Sequence, residues 1–159
     1  MALRNVLTVD KENDSLRKKS REVEKIDEKI LTLIEDMKET LYDKNGVGLA
    51  APQIGVLKRV IVIDIGEGPI VLINPVIAYQ KGEIVDVEGC LSVPGVWGTV
   101  KRPQEVIVRG MNEKGETVEL SGEGLLAKAF CHEIDHLNGI IYTDKVIDYI
   151  DQSQIQQEG

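Results

Sequence analysis

The chain has 159 residues, 42% of them hydrophobic and 29% charged, a composition that excludes a disordered tail or a fibre and favours one globular domain. A formal charge of −8 argues against a dedicated nucleic-acid surface, and no apolar run approaches the ~20 residues of a membrane-spanning helix. The N-terminus lacks the apolar core of a secretory signal, so Cys90 and Cys131 are expected to be thiols in a reducing compartment. We therefore expect a single domain over residues 1–159 in the cytoplasm, without a membrane partner, ending in a short acidic tail from about residue 144.

The first half of the chain predicts one helix. Residues 3–22 are rich in charge and are expected to form an irregular lead-in. Apolar side chains then recur at helical spacing from Ile26 to Leu41, which predicts an amphipathic helix over about 27–44. Asn45 and Gly46 are favoured stop residues and end it.

The middle of the chain predicts strands, and its end predicts a second helix. Turn signals rich in glycine, such as the one around Gly82, separate six apolar segments, which are 59–65, 70–77, 84–88, 96–101, 105–109 and 117–120. A helical segment over 124–137 follows. The order indicates an α+β fold in which antiparallel sheets pack around a buried C-terminal helix, with the amphipathic helix at the N-terminal side.

The C-terminal helix carries a His-Glu-x-x-His motif formed by His132, Glu133 and His136, and it contains both histidines of the chain. Residues four apart lie on one face of a helix, so the two imidazoles can bind one ion while Glu133 handles protons beside it. Leu125 and Ala129 share that stripe. The remaining surface of the helix is mostly apolar, which indicates that the helix is buried. The alternative is a chance match in which the histidines are buried polar groups.

A catalytic metal site usually has three protein ligands, so a third is required. Tyr142 stands where one branch of zinc proteases has a histidine, and Glu158 lies in a polar tail, a poor place for a rigid ligand. Cys131 points about 100° away from its neighbour His132 and is interpreted as a buried small hydrophobe. Cys90 remains, beside a glycine at a predicted strand end.

A third segment, residues 46–55, is rich in small residues and includes Gly46, Gly48 and Gln53. It lacks the Gly-Lys-Ser/Thr of a phosphate loop. It is either backbone that approaches a ligand closely or a glycine-rich turn after a helix.

Together the three segments resemble the three signature motifs of the peptide deformylase family. The motifs are Gly46-x-Gly48-x-Ala-Ala-x-Gln53, Glu-Gly-Cys90-Leu91-Ser and His132-Glu133-x-x-His136. The resemblance covers most of the chain, and the absence of a long insertion between the first two motifs resembles the bacterial type 1 form.

The resemblance implies hydrolysis of the N-formyl group of formylmethionyl peptides, with release of formate. Cys90, His132 and His136 would hold one divalent metal ion, and Glu133 would accept a proton and pass it to the leaving amine. The Gln53 amide and the Leu91 backbone N–H would stabilise the oxyanion. The peptide would add as a strand beside Gly46–Gly48 and Gly89, with methionine in an apolar pocket; the residues expected to line that pocket are Val47, Leu125, Ala129 and His132.

The ligand types and the family resemblance together indicate which metal and which partners to expect. A thiolate with two imidazoles suits zinc, whereas the resemblance implies Fe²⁺, with Zn²⁺, Ni²⁺ or Co²⁺ as replacements in purified protein. The expected partners are nascent formylmethionyl peptides. Many relatives have a basic C-terminal helix thought to bind the ribosome, but the acidic tail here predicts at most a transient ribosome association, no stable nucleic-acid complex and a monomer.

The roles of two further residues remain open, and so do two rival functions. Trp97 either lines the rim of the peptide site or packs on the sheet, and Arg102 either pairs with Glu88 or Asp135 or is a surface residue. The rival functions are a metallopeptidase that cuts internal bonds and a binding module with a structural zinc.

Overall fold

The computed structural model describes residues 2–150, in which two helices come first, seven strands follow, and a third helix and a last short strand complete the range. The helices are α1 (Val9–Leu16), α2 (Glu28–Asp43) and α3 (Leu125–Leu137). The strands are β1 (Gly48–Ala50), β2 (Val60–Ile63), β3 (Ile70–Lys81), β4 (Ile84–Cys90), β5 (Val93–Arg102), β6 (Glu105–Met111), β7 (Thr117–Glu123) and β8 (Val146–Tyr149). Short 3₁₀ turns occupy Ala51–Ile54 and Tyr142–Asp144.

The strands form two antiparallel sheets. The larger sheet has the order β1-β2-β3-β6-β7, so β1 is an edge strand that pairs with β2 from Gly48 opposite Ile63 to Ala50 opposite Ile61. The smaller sheet has the order β4-β5-β8. The predicted α+β class, with antiparallel sheets around a buried C-terminal helix, is confirmed.

Helix α2 forms where the apolar periodicity predicts it. The Asp27 side chain accepts a hydrogen bond from the Ile30 N–H at 3.1 Å, which satisfies one of the free donors at the helix start. Asn45, at φ 54°, reverses the chain after the helix. The apolar face packs against the larger sheet, and its buried members are Ile30, Leu33, Ile34, Met37 and Leu41.

Helix α3 lies on the same sheet and is buried over most of its surface. Ala127, Phe130, Ile134 and Leu137 pack with residues of β1, β2, β3 and β6 in one hydrophobic cluster. At Gly122 of β7, an added Cβ would lie 3.1 Å from the Phe130 ring, so the absence of a side chain there lets the helix sit close to the strand. The fold thus holds the His-Glu-x-x-His helix inside the molecule.

The structure corrects two local predictions. The lead-in predicted to be irregular contains α1, which is held by tertiary contacts: the Val9 N–H donates to the Ser92 carbonyl at 2.9 Å, and Leu16 is fully buried. The predicted tail contains β8, which pairs with β5, while residues 151–159 of that tail lie outside the described range. Several strands also run further than predicted, β3 to Lys81 and β4 to Cys90. Over residues 2–150, no helix combines the length and apolar character required to cross a membrane.

Candidate metal centre and active site

Cys90, His132 and His136 converge on one point. Their ligand atoms all lie within 4.8 Å of one another, and Cys90 Sγ is 3.2 Å from His136 Nε2. Metal–ligand bonds of about 2.1–2.3 Å in tetrahedral geometry place ligand atoms about 3.5 Å apart, so this spacing suits a single small cation. Helix α3 supplies both histidines one turn apart, and the end of β4 supplies the thiol.

The two histidines sit in different electrostatic surroundings. Burial, together with the nearby charges of His132 and Arg102, holds the pKa of His136 well below its usual value, so its imidazole is neutral. Burial also lowers the pKa of His132, but Glu133, Cys90 and Glu88 outweigh it and raise that pKa well above its usual value. A metal ion would compete for the proton-binding nitrogen, because metal ligation requires the neutral imidazole.

The orientation of His132 is set by a buried carboxylate. His132 Nδ1 lies 2.8 Å from Glu88 Oε1, and because an ionised carboxylate only accepts, Nδ1 carries the hydrogen and Nε2 is left for the metal. Burial alone would raise the pKa of Glu88, but hydrogen bonds from Arg102 and His132 lower it to about 2. Glu88 is therefore ionised at neutral pH.

Arg102 joins this carboxylate to a second one. Its guanidinium donates to both oxygens of Glu88 at 2.8 and 2.9 Å, and to Asp135 Oδ2 at 2.7 Å. The Arg102 side chain is only 3% exposed, so a bidentate ion pair inside the protein holds β4, β5 and α3 together. The predicted pairing of Arg102 is confirmed with both candidate partners, and Lys145 adds a further contact to Asp135 at 3.0 Å.

Glu133 is buried on the opposite side of the helix from this network. Burial raises its pKa to about 7; His132 and Arg102 oppose that rise, and Glu88 adds to it. Its Oε1 is buried and has no hydrogen-bond partner among residues 2–150, and Glu133 lines the same cavity as Cys90 and His132. At Gly48 an added Cβ would lie 2.5 Å from Glu133 Oε2, so only glycine lets β1 pass this carboxyl group. A carboxyl group poised near neutral pH can both take and give a proton.

Gln53 and Leu91 place hydrogen-bond donors beside Cys90. Gln53 is 1% exposed, and its orientation is fixed because Oε1 accepts from the Ala50 N–H at 2.9 Å. Its Nε2 donates to Ser92 Oγ at 3.1 Å and points toward Cys90 Sγ at 3.5 Å. The Leu91 N–H donates to none of the other described residues and is available to a ligand.

A cavity of about 850 Å³ opens in front of these groups. It is lined by all the residues predicted to bind the peptide, which are Gly46, Val47, Gly48, Gly89, Leu125 and Ala129, and also by Gln53, Cys90, Leu91, His132 and Glu133. Val47 is 41% and Leu125 is 48% exposed, so they stand at its mouth. Trp97 also lines the cavity, and its ring lies against Gly89, where an added Cβ would be 2.3 Å from Cζ3. His136 is buried and does not line the cavity.

The structure also shows supporting residues that the sequence did not indicate. Ser92 orients the Gln53 amide, and Tyr142 is stacked on His132 with ring centroids 5.9 Å apart. The Tyr142 hydroxyl donates to the Val96 carbonyl at 2.5 Å, so it is no metal ligand. Cys131 is buried away from the triad, and burial raises the pKa of its thiol to about 11. Glu158, the alternative third ligand, lies outside the described residues.

The arrangement fits a catalytic metal ion. It offers one soft sulfur ligand and two imidazoles, a carboxylate that orients one of the imidazoles, and an open cavity beside them. A carboxyl group of raised pKa and two donors surround the same opening. Such a site can hydrolyse an acyl group held between the metal and the donors.

Comparison with known proteins identifies the family. Residues 3–152 match the family model for polypeptide deformylase. The peptide deformylase of Caldicellulosiruptor bescii is 57% identical over 157 residues, covering 99% of this chain and 93% of that protein. The peptide deformylase structure from Thermotoga maritima superimposes with a TM-score of 0.87 at 40% identity, covering 91% of this chain and 97% of that one. A Met-Ala-Ser complex of the Acinetobacter baumannii enzyme has a TM-score of 0.84 at 31% identity, with 91% and 98% coverage.

The family model spans nearly the whole chain, and the relatives match it along nearly their whole length. The chain therefore belongs to the peptide deformylase family, metal-dependent hydrolases that remove the N-formyl group from the formylmethionine of newly synthesised proteins.

Proposed function

We propose that Cys90, His132 and His136 are the metal ligands of this deformylase and that Glu133 is its proton-transfer group. The observation that carries the proposal is the convergence of the three ligand atoms within 4.8 Å, beside a buried Glu133 oxygen that has no partner among residues 2–150. A catalytic residue must reach the reacting atoms, and Cys90, His132 and Glu133 line the same cavity. The whole chain would act as one catalytic domain, since the family model covers residues 3–152.

Each residue contributes a separate part of the reaction. A divalent metal bound by the triad supplies Lewis-acid chemistry, which polarises a carbonyl and makes hydroxide available near neutral pH. Glu133 accepts the proton of the attacking water and returns it to the leaving amine, a role that suits a pKa of about 7. Gln53 Nε2 and the Leu91 N–H donate to the oxygen of the formyl group as it gains negative charge.

The edge strand β1 provides the site for the peptide backbone. Its outer edge is unpaired within residues 2–150 and lines the cavity, so an extended peptide can add to it through backbone hydrogen bonds. The Acinetobacter baumannii relative binds Met-Ala-Ser, a peptide that has the methionyl end of such a product. Methionine would enter the apolar part of the cavity near Leu125 and Ala129. Backbone recognition of this kind tolerates many downstream sequences, as a general processing enzyme requires.

We infer Fe²⁺ as the physiological metal, with Zn²⁺, Ni²⁺ or Co²⁺ able to replace it in purified protein. The family resemblance supports iron, although ligand softness alone suits zinc as well. Metal analysis of protein purified without oxygen should give close to one iron per chain. Zinc alone under those conditions would contradict the iron assignment and leave the reaction unchanged.

The proposed partner is the nascent formylmethionyl chain, met in the bacterial cytoplasm by a monomeric enzyme. Association with the ribosome would be transient, because Asp144 and Asp148 make the start of the C-terminal segment acidic. Neither a stable nucleic-acid complex nor a membrane contact is part of the proposal.

The test compares kcat/KM for formyl-Met-Ala-Ser, acetyl-Met-Ala-Ser and formyl-Asp-Ala-Ser. The formyl carbon carries only hydrogen where an acetyl group carries a methyl, so the first peptide should react far faster than the second. Formyl-Asp should also react poorly, because it would place a charge against apolar side chains. Equal rates for formyl and acetyl peptides, or cleavage of internal bonds, would remove this assignment of the cavity.

A pair of cysteine variants tests the ligand assignment. Cys90→Ser should lose most of its metal affinity, whereas the matched Cys131→Ser should keep metal and activity, because Cys131 lies outside the triad. The reverse result would show that the wrong cysteine had been chosen.

A further inference from the structure

Strand β4 has an outer edge that faces the active-site cavity. The smaller sheet has the order β4-β5-β8, so within residues 2–150 β4 is paired on one side only, with β5. Val87 and Gly89 both line the cavity. They are two residues apart in one strand, so their backbone N–H and carbonyl groups point to the same side. An extended peptide bound beside Gly89 would therefore meet Val87 next.

The register of β4 and β5 leaves Gly89 free to pair with a peptide. Glu88 lies opposite Gly98 and Cys90 lies opposite Val93, so the register shifts at Gly89, which has no opposite residue within the described range. Cys90 directly follows Gly89 and is the sulfur ligand of the proposed metal site. A peptide whose formyl group lies at that site has its first residues beside Gly89, and its later residues extend back along β4.

Val87 is already occupied on the same edge. Its N–H donates to Asp86 Oδ1 at 2.8 Å, and its carbonyl accepts a hydrogen bond from Lys128 Nζ at 3.0 Å. Lys128 Nζ also lies 3.1 Å from Asp86 Oδ2, so the two side chains form one unit across the backbone of Val87. We call Asp86 and Lys128 the β4 clasp. Both backbone groups that a further peptide residue would need are thus bonded to charged side chains.

Helix α3 holds the β4 clasp in place. Lys128 belongs to this helix and lines the cavity, and its side chain is only 16% exposed, whereas that of Asp86 is 53% exposed. Hydrogen bonds to charged groups are stronger than those between neutral groups. A peptide that displaced the clasp would exchange two charge-assisted bonds for two neutral ones, so pairing with Val87 would add nothing to its affinity.

We propose that the β4 clasp ends the peptide-binding edge and so limits recognition to about the first three residues of the substrate. The inference rests on the proposed function, since the substrate is a formylmethionyl peptide bound beside Gly89. With the second peptide residue opposite Gly89, the fourth lies opposite Val87, because residues two apart share one edge of a strand. Asp86 and Lys128 are thus specificity-determining residues, which make the enzyme indifferent to the chain beyond that point.

The kinetic consequence of pairing at Val87 follows from its distance from the reaction. Bonds formed away from the reacting atoms stabilise the bound substrate and the transition state equally, so they lower KM without raising kcat. They would also hold the deformylated product. A binding edge closed after Gly89 lets the product leave and suits a substrate of which only the N-terminal formylmethionine is constant.

The dependence of kcat/KM on peptide length tests the proposal in the wild type and in the double variant Asp86→Ala, Lys128→Met. The substrates are the C-terminal amides of formyl-Met-Ala-Ser and formyl-Met-Ala-Ser-Ala-Ala, which lack a terminal carboxylate that Lys128 would attract. The ratio of the two rates within one variant cancels any effect on the metal or on the methionine site. The longer peptide should be favoured by less than about twofold in the wild type and by at least about fivefold in the double variant, through KM, because two net backbone hydrogen bonds are gained.

Two controls isolate the backbone bonds. The amide of formyl-Met-Ala-Ser-Pro-Ala has no N–H at its fourth residue to donate to Val87, so most of the gain in the double variant should disappear. The variant Glu83→Ala, Lys101→Met removes an exposed ion pair beside the same sheet, with the same change of charge, and should keep the wild-type ratio.

Each single variant frees one backbone group of Val87 and should favour the longer peptide by about twofold or more, which keeps the test open where the double variant does not fold. Calorimetric affinities for the amides of Met-Ala-Ser and Met-Ala-Ser-Ala-Ala should give the same ratios without turnover. Equal ratios in the wild type and in the clasp variants would overturn the proposal. Failure of the wild type to deformylate either peptide would instead count against the proposed function, and the binding ratios would still decide whether the clasp limits peptide length.

Discussion

Two buried carboxyl groups on different sides of α3 have pKa values shifted in opposite directions. Glu88 and Glu133 are each 4% exposed and flank the same histidines. On the Arg102 side, Glu88 is held ionised with a pKa of about 2, whereas on the Gly48 side Glu133 has a pKa raised to about 7. Burial alone therefore does not set the charge of a carboxyl group, because hydrogen-bond donors such as those that reach Glu88 can outweigh it.

The difference separates two tasks. Glu88 accepts bonds from Arg102 and His132, so it serves as a fixed anion that orients a metal ligand. Glu133 lines the cavity, its Oε1 has no hydrogen-bond partner among residues 2–150, and its pKa is near 7, so it can exchange a proton during each turnover.

The largest expected effect comes from removing the proton-transfer group. Glu133→Gln keeps the shape of the side chain but cannot accept a proton, and kcat should fall by about 10²–10⁴. Metal content should remain close to that of the wild type, because Glu133 is outside the triad. Steady-state kinetics and metal analysis on the same preparation check both parts, and wild-type turnover would remove Glu133 from the reaction.

The two carboxylates should also give stability the opposite dependence on pH. The fold raises the pKa of Glu133 from 4.5 to about 7, so in metal-free protein its contribution is complete below about pH 4 and is lost as the pH rises through about 7. That rise corresponds to about 3 kcal/mol. Glu133→Gln should therefore gain about 3 kcal/mol over the wild type between about pH 4 and pH 8 in urea unfolding.

The contribution of Glu88 to stability has the opposite dependence on pH. Its pKa is lowered from 4.5 to about 2, so its contribution is present above about pH 4.5 and is lost as the pH falls toward 2. The difference in unfolding free energy between the wild type and each variant can be followed against pH. The same trend for Glu88→Gln and Glu133→Gln would show that the fold shifts the pKa values of the two carboxyl groups in the same direction.

The Glu88→Gln variant also tests how His132 is oriented as a metal ligand. Glu88→Gln should weaken metal affinity by about 10–100-fold, the usual effect of removing a carboxylate behind a metal-binding histidine. Competition with a chelator measures the loss. Glu83→Gln is the control, since Glu83 is exposed and its contact with Lys101 is long at 3.7 Å. Unchanged metal affinity in Glu88→Gln would mean that the Glu88–His132 bond does not support ligation.

The smallest expected effect lies at the outer end of the Arg102 network. Asp135→Asn keeps an acceptor for Arg102 but removes a charge that is partly exposed, so the loss of stability should be about 1 kcal/mol. Thermal unfolding at pH 7 measures it, with Asp86→Asn as an exposed control. A loss as large as that of Glu88→Gln would show that both carboxylates are equally integral to the network.

The sequence predicted those parts of the site that depend on local spacing. His132 and His136 share a helix face because they are four residues apart, and the apolar residues on most of the helix surface predicted that the helix is buried. The α2 helix follows from its apolar period in the same way. The pairing of Arg102 was predicted only as one of two possibilities, since its partners come from β4 and α3.

The parts of the fold and of the site that the sequence did not predict depend on contacts between residues far apart in the chain. Helix α1 buries only Leu16 and is held by bonds to distant residues such as Ser92, so its own sequence gives little helical signal. Strand β8 is four residues long and mostly exposed, and pairing with β5 creates it. Ser92 and Tyr142 support Gln53 and His132 only after the chain has folded.

Infrared difference spectroscopy of the metal-free protein tests the contrast between the two carboxylates most directly. A protonated carboxyl group has a carbonyl band that disappears on ionisation. The pH at which half of the band is lost therefore reports the pKa of that group. We expect one such band to be lost with a midpoint near pH 7; Glu133→Gln should lack this band, and Glu88→Gln should retain it. Titration of every carboxyl group below about pH 5, the ordinary range for carboxyl groups, would contradict the raised pKa of Glu133.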